Sequence, residues 1–104
     1  PVLVVAHEPS FFRWLADLGL GRRLPPGLIM LAGHTHGEQI YIPGLGRYIF
    51  ISYYASHRRG VYREGSNTLL VTSGVGTTAI PVRINMPPEM VELSLVPNVR
   101  RCRN

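Results

Sequence analysis

The chain has 104 residues, of which 45% are hydrophobic and 16% are charged, so it is long enough for one compact core and too short for two domains. The only cysteine, Cys102, excludes an internal disulfide, and no apolar run reaches the ~18 residues that a membrane-spanning helix requires. The net charge of +5 comes from eleven arginines and suits anionic ligands in general, and no targeting segment indicates a compartment.

The first third of the chain predicts a strand, a helix and a second strand. Residues 2–6 and 28–32 are continuous apolar runs, typical of strands buried on both faces of a parallel sheet. Between them, residues 10–18 have helical spacing, with Ser10 as a cap. We expect the apolar side chains of this helix to pack in the core: Phe11, Trp14, Leu15 and Leu18. If the two strands are parallel neighbours, the loops that follow them lie at one edge of the sheet.

The remainder of the chain predicts mostly β-structure. Short strands are expected at residues 39–42, 48–53, 60–63, 68–72, 82–84 and 90–96, separated by turns rich in Gly, Pro, Asn and Ser. The last of these alternates polar and apolar residues, which is typical of a strand with one solvated face. The basic residues Arg58, Arg59 and Arg63 predict a solvated surface, with binding of a phosphate or lipid head group as the alternative.

Histidines follow both predicted parallel strands. His34 and His36 lie in Gly33-His34-Thr35-His36-Gly37, and side chains two residues apart project to one side of an extended backbone. His7 ends the other strand, so we expect the three imidazoles to converge on one edge of the sheet. Imidazole is a common ligand of zinc, iron and manganese, although exposed or hydrogen-bonded loop histidines remain the alternative. His57 has no partner at such spacing and predicts a surface histidine.

The order of these motifs resembles the carboxyl-terminal half of a calcineurin-like metallophosphoesterase. The resemblance runs from Val2 to about Leu95, and small bacterial phosphodiesterase-like proteins are the most similar subgroup. Glu38 stands where that subgroup usually has a second glycine. The segments that carry the resemblance are Val4-Val5-Ala6-His7-Glu8-Pro9, Leu31-Ala32-Gly33-His34-Thr35-His36-Gly37, Gly60-Val61-Tyr62-Arg63, Ser73-Gly74-Val75-Gly76-Thr77 and Pro81-Val82-Arg83.

The resemblance implies an α/β fold in which residues 1–104 form the β-rich, carboxyl-terminal portion of a single α-β-β-α sandwich domain, with its upstream half absent. It also implies two metal ions, Mn, Fe or Zn, with His7 and His34 on one ion and His36 on the other. The family's carboxylate and further histidine ligands belong to the earlier half. We therefore expect this segment alone to bind at most one ion weakly and to be inactive. Glu8 is either a hydrogen-bond partner of a histidine ligand or an exposed loop carboxylate.

Three functions remain open at this point. The first is metal-dependent hydrolysis of a phosphoester substrate, most simply a phosphodiester, with membrane association through an upstream segment. The second is a non-catalytic scaffold of the same fold that binds a protein partner. The third is an arginine-driven binder of nucleic acid or anionic membrane; it ranks last because the arginines are scattered without interleaved aromatic residues, and no nucleic-acid partner is expected.

Overall fold

A computed structural model describes residues 2–18, 26–45, 47–48 and 57–96 of the chain. Six strands and one α-helix occur in this part, together with a 3-10 turn at His36–Glu38. The helix α1 is Ser10–Asp17, and the strands are β1 Leu3–Val5, β2 Ile29–Ala32, β3 Tyr41–Ile42, β4 Arg47–Tyr48, β5 Gly60–Glu64 and β6 Asn67–Val71. No helix in the described part has the length and apolar character that crossing a bilayer requires.

Four of the strands form one mixed sheet in the order β1-β2-β6-β5. β1 and β6 both pair with β2 in parallel, and β5 pairs with β6 as an antiparallel hairpin. The predicted strand, helix and strand of the first third are confirmed, as are the strands at residues 60–63 and 68–72. β3 and β4 form a separate two-stranded antiparallel ribbon. The chain is therefore an α/β protein, as expected.

The core lies on one face of this sheet. Alternate residues of the strands point to that face because strand side chains alternate, and Phe12 of α1 packs against them. The buried apolar cluster consists of Phe12, Leu28, Met30, Ala32, Leu69 and Val71. On the opposite face, Leu3 is 47% exposed and Val5 77% exposed. In the described part of the chain, the first strand is therefore covered on one face by α1 and exposed on the other, so the expected burial on both faces is not found there.

The core position predicted for Leu15 of α1 is confirmed, but those predicted for Phe11, Trp14 and Leu18 are wrong. Phe12 is buried and Leu15 is half-buried, whereas Phe11, Trp14 and Leu18 are exposed. Residues three apart share a helix face, so the pair Phe12 and Leu15 turns Phe11 and Trp14 away from the core. Ser10 is the first helical residue, and its hydroxyl donates a hydrogen bond to Glu8 Oε2 at 3.2 Å.

Three of the predicted β segments differ in the structure. The strand expected at 39–42 is shortened to β3 because Gln39 has a positive φ of 53°. The strand at 82–84 is reduced to a single bridge between Ile40 and Ile84. Residues 90–96 form no strand, because their backbone pairs with no strand in the described part of the chain. Beyond Tyr48, the strand expected at 48–53 lies outside the described residues.

Candidate functional site

His7 and His34 lie side by side at the carboxyl edge of the sheet. Each follows one of the two parallel strands β1 and β2, and the Gly33 amide donates to the His7 carbonyl at 3.2 Å, which ties the two loops together. The imidazole ring centroids are 4.4 Å apart with an angle of 54° between the ring planes. Parallel strand pairing therefore brings two histidines from distant positions in the sequence into direct contact.

Glu8 supports this pair from the loop after β1. Its Oε1 atom lies 3.8 Å from His34 Nε2, and both side chains are partly exposed. The carboxylate thus faces His34, although His7 is its neighbour in the sequence. Imidazole and carboxylate groups are ligands of transition metals, but these three side chains are not grouped so that they alone could hold one ion.

The ring of His36 contacts the loop that follows β6. Its Nδ1 atom is 3.3 Å from the Gly76 carbonyl oxygen. Among the described residues, no three His, Cys, Asp or Glu side chains are grouped so that they could hold one ion. The expected convergence of all three imidazoles is therefore not found. It assumed an extended backbone, whereas the φ angles are 71° at His34 and 50° at His36.

The turn that carries His36 has an unusual backbone. Four consecutive residues, 36–39, have φ angles between 50° and 64°, a region that only glycine adopts without strain. Thr35 holds the start of this turn: its hydroxyl donates to the Arg58 carbonyl at 2.6 Å and accepts from the Gly37 amide at 3.3 Å. Tertiary contacts, rather than local preference, therefore shape the turn.

Glu38 is buried and paired within this turn. Its Oε2 atom lies 3.0 Å from Arg58 Nε, and its side chain is only 2% exposed. Its φ of 64° would suit the glycine found at this position in the subgroup noted above. The prediction that Arg58 belongs to a solvated basic surface is therefore wrong, because Arg58 pairs with a buried carboxylate. Arg59 lies 3.6 Å from Glu89 Oε1, and Arg63 is exposed.

Gln39 is a fully buried side chain that fastens a second loop to the histidine turn. Its amide nitrogen donates to the carbonyls of Thr78, Ile80 and Val82 at 2.8–3.2 Å, and its oxygen accepts from the Thr78 amide at 2.7 Å. The sequence left open whether Gln39 touches substrate or holds its loop, because nothing in the local pattern shows which distant backbone groups an amide will meet.

Arg83 connects the same region to the histidine motif. Its guanidinium donates to the carbonyls of His36 at 3.3 Å, Ser73 at 3.0 Å and Met86 at 2.7 Å, and also to that of Gly76. Arg83 and His36 thus share the Gly76 carbonyl. Sequence reasoning assigned Arg83 no role at the site, although the segment Pro81-Val82-Arg83 belongs to the resemblance.

Glu89 anchors the loop that follows β6. The Ser73 amide donates to Glu89 Oε2 at 2.9 Å, and the hydroxyls of Ser73 and Thr72 approach the same atom. The hydrogen bond from the Ser73 backbone lowers the pKa of Glu89; the nearby Arg59 adds to this effect, and partial burial opposes it. His57, expected at the surface, is half-buried with its ring edge-on to Tyr62 at 4.5 Å.

Comparison with known proteins decides the family. The chain is 33% identical to an uncharacterized metallophosphoesterase, YkuE, of Bacillus subtilis (strain 168), over 89% of this chain and 30% of that protein. It is 32% identical to the phosphodiesterase YaeI of Escherichia coli (strain K12), over 92% of this chain and 33% of that protein. The chain belongs to the metallophosphoesterase superfamily.

The relatives of this metallophosphoesterase chain are much longer than the chain itself. A transmembrane protein with metallophosphoesterase domain of Bos taurus is 28% identical over 91% of the chain, which covers 20% of that protein. The chain spans a third or less of the length of these three relatives. No protein-family model matches the chain, and no solved structure matches it.

Proposed function

We propose that the protein containing this chain hydrolyses a phosphoester, most simply a phosphodiester, at a centre of two transition-metal ions. His7 and His34 would bind one ion, and His36 the other, with Mn, Fe or Zn as the metals. The observation that carries the proposal is the contact between the His7 and His34 rings at the edge of the sheet. The names of the relatives YkuE and YaeI support the same class of reaction.

The position of His36 beside the loop that follows β6 fits a second ion better than it fits the first. A metal-binding histidine commonly donates its other ring N–H to a carbonyl, which fixes the orientation of the ring. The Gly76 carbonyl is placed to accept from His36 Nδ1, so that Nε2 would face a ligand. In this arrangement Arg83 and Gln39 hold the loops around His36 in place.

The donors in the described residues supply only part of such a centre. Neutral imidazoles offset little of the charge on two dications, so carboxylate ligands from other parts of the protein are required. A bound dication would act as a Lewis acid toward the phosphoryl group. The chain's own residues would orient the ions and, through Glu8, hold His34 in place. We propose that the segment alone binds at most one ion weakly and is inactive.

Two further parts of the proposal concern architecture and partners. The four-stranded sheet would form one part of an α-β-β-α sandwich, with residues 1–104 as the carboxyl-terminal portion of a single domain. Membrane association would come from residues outside this chain. Nucleic acid is not an expected partner, since Arg58, Arg59 and Arg83 are engaged by carboxylates or carbonyls of the chain itself.

The test is metal content and phosphodiester hydrolysis of the full-length protein and its histidine variants. We expect His7→Ala and His34→Ala each to lower turnover of bis(p-nitrophenyl) phosphate at least about 100-fold and to release one metal equivalent, with His36→Ala releasing the other. His57→Ala is the matched control and should retain both metals. Unchanged metal and turnover in the first three variants would contradict the proposal. A wild-type protein without metal or turnover would favour the non-catalytic scaffold.

A further inference from the structure

An open cleft of about 490 Å³ adjoins His7. It lies between the loop after β1 and the first two turns of α1. Its volume is within the range of small-molecule sites, about 300–1,000 Å³. The residues that line it are Ala6, His7, Glu8, Ser10, Phe11 and Trp14. One end of the cleft is therefore the proposed metal-binding edge, and the other end is the exposed face of the helix.

Two stacked aromatic rings form the helical wall of this cleft. The ring centroids of Phe11 and Trp14 are 4.9 Å apart, and their planes differ by 27°. Phe11 is 36% exposed and Trp14 is 49% exposed, so neither ring is buried in the core. The residue of α1 that is buried there is Phe12. These exposed aromatic faces lie beside the proposed metal-binding edge, where they can stack against a planar ring of a ligand.

The charge of the lining residues restricts what can occupy the cleft. Among the described residues that line the cleft, Glu8 carries the only carboxylate and none is an arginine. Against the aromatic wall, a phosphoryl or carboxylate group would meet no cation among these residues, whereas the metal ion proposed at His7 and His34 would attract it at the other end. The phosphoryl group therefore belongs at the histidine end, and an uncharged group belongs at the aromatic end.

We infer that the cleft binds one esterifying group of the phosphoester, and that this group carries an uncharged planar aromatic ring stacked against Trp14. The inference rests on the proposed function for the position of the phosphoryl group beside His7. An aryl ester and a nucleoside ester both carry such a ring, and inhibitors of the two kinds distinguish between them.

The experiment compares three competitive inhibitors of the full-length protein: methylphosphonate, phenylphosphonate and adenosine 5′-phosphorothioate. Stacking of one ring on an aromatic side chain is worth about 1–3 kcal/mol, so a ring should lower the inhibition constant about tenfold relative to methylphosphonate. If both ring-bearing inhibitors have lower inhibition constants than methylphosphonate, the cleft accepts aryl groups in general. If only the adenosine compound does, the cleft binds a nucleobase.

Variants of α1 show whether the advantage arises at the cleft. Trp14→Ala should reduce the ratio of inhibition constants, methylphosphonate to the preferred ring-bearing inhibitor, to about 1, whereas Trp14→Phe should retain most of it. Leu18→Ala is the matched control, because Leu18 is an exposed apolar residue near the end of the same helix and does not line the cleft. Its ratio should equal that of the wild type.

The outcomes separate this inference from the proposed function. The inference alone is overturned if the metal-loaded wild type turns over substrate but is inhibited equally by all three compounds. It is also overturned if the preference for ring-bearing inhibitors persists in Trp14→Ala. If the wild type shows no turnover, the same compounds are titrated while tryptophan emission is followed. The inference is then overturned if neither ring-bearing compound produces a saturable change in tryptophan emission. It is also overturned if the change persists in Trp14→Phe.

Discussion

Substitution of Gly37 by alanine tests whether packing constrains the turn between His36 and Glu38. A Cβ atom at this position would lie 2.5 Å from Met86 Sδ and 3.1 Å from Ser73 Cβ. The φ angle of 61° adds a backbone cost for any residue with a Cβ. The matched control is Gly65→Ala in the β5–β6 turn, where φ is 58° and no atom lies within 4 Å of the added Cβ.

The two substitutions share the backbone cost and differ in crowding. Placing alanine in the left-handed region costs about 1–2 kcal/mol, which is the whole effect expected at Gly65. Overpacking adds about 1–3 kcal/mol at Gly37, because Ser73 Cβ is held by the backbone and Met86 is buried. We therefore expect Gly37→Ala to lower the free energy of unfolding of the full-length protein by about 2–5 kcal/mol.

The assay is urea unfolding followed by circular dichroism. The double variant Gly37→Ala/Met86→Ala makes the test sharper. Its loss of unfolding free energy should be about 1 kcal/mol smaller than the sum of the losses in the two single variants, because the added Cβ no longer meets the thioether. A Gly37→Ala variant no less stable than Gly65→Ala would refute the packing that holds the histidine turn.

Three other expectations concern the groups around this turn. Arg83→Lys should weaken the metal proposed at His36 about 10- to 100-fold, measured by competition with a chelator, because its contacts orient that loop; unchanged affinity would contradict this role. Gln39→Glu, which places an acceptor where an amide donates to three carbonyls, should lower the free energy of unfolding by at least about 2 kcal/mol, and a urea midpoint equal to that of the wild type would argue against it. The lowered pKa of Glu89 predicts that the stability difference between wild type and Glu89→Gln is fully present above about pH 4.3 and is lost as the pH falls through the lowered pKa. Urea titrations from pH 7 to pH 3 measure this difference, and one that grows toward low pH would have the wrong sign.

The elements with strong local patterns were predictable from the sequence. The strands predicted from the apolar runs at β1 and β2 and the helix between them were confirmed, and so were the strands β5 and β6. Parallel pairing then placed His7 beside His34, which follows from topology without any side-chain detail. These features depend on periodicity and on residues close in sequence.

Features that depend on distant contacts were not predictable in this way. Residues 90–96 alternate like a strand, but a strand needs a neighbour, and the sequence does not show which backbone groups are available. The positive φ angles of residues 36–39 follow from contacts with segments 20 to 50 residues away, including those of Gln39 and Arg83. Periodicity alone also did not show that α1 turns Phe12, rather than Trp14, toward the core.

The most direct test of the central claim is the position of bound metal relative to His7 and His34. Anomalous diffraction from crystals of the zinc-loaded full-length protein locates each ion independently of the protein atoms. We expect one peak within about 2.1 Å of a ring nitrogen of both His7 and His34, and a second peak at His36. Peaks that lie away from the His7 and His34 rings, or on only one of them, would contradict the claim.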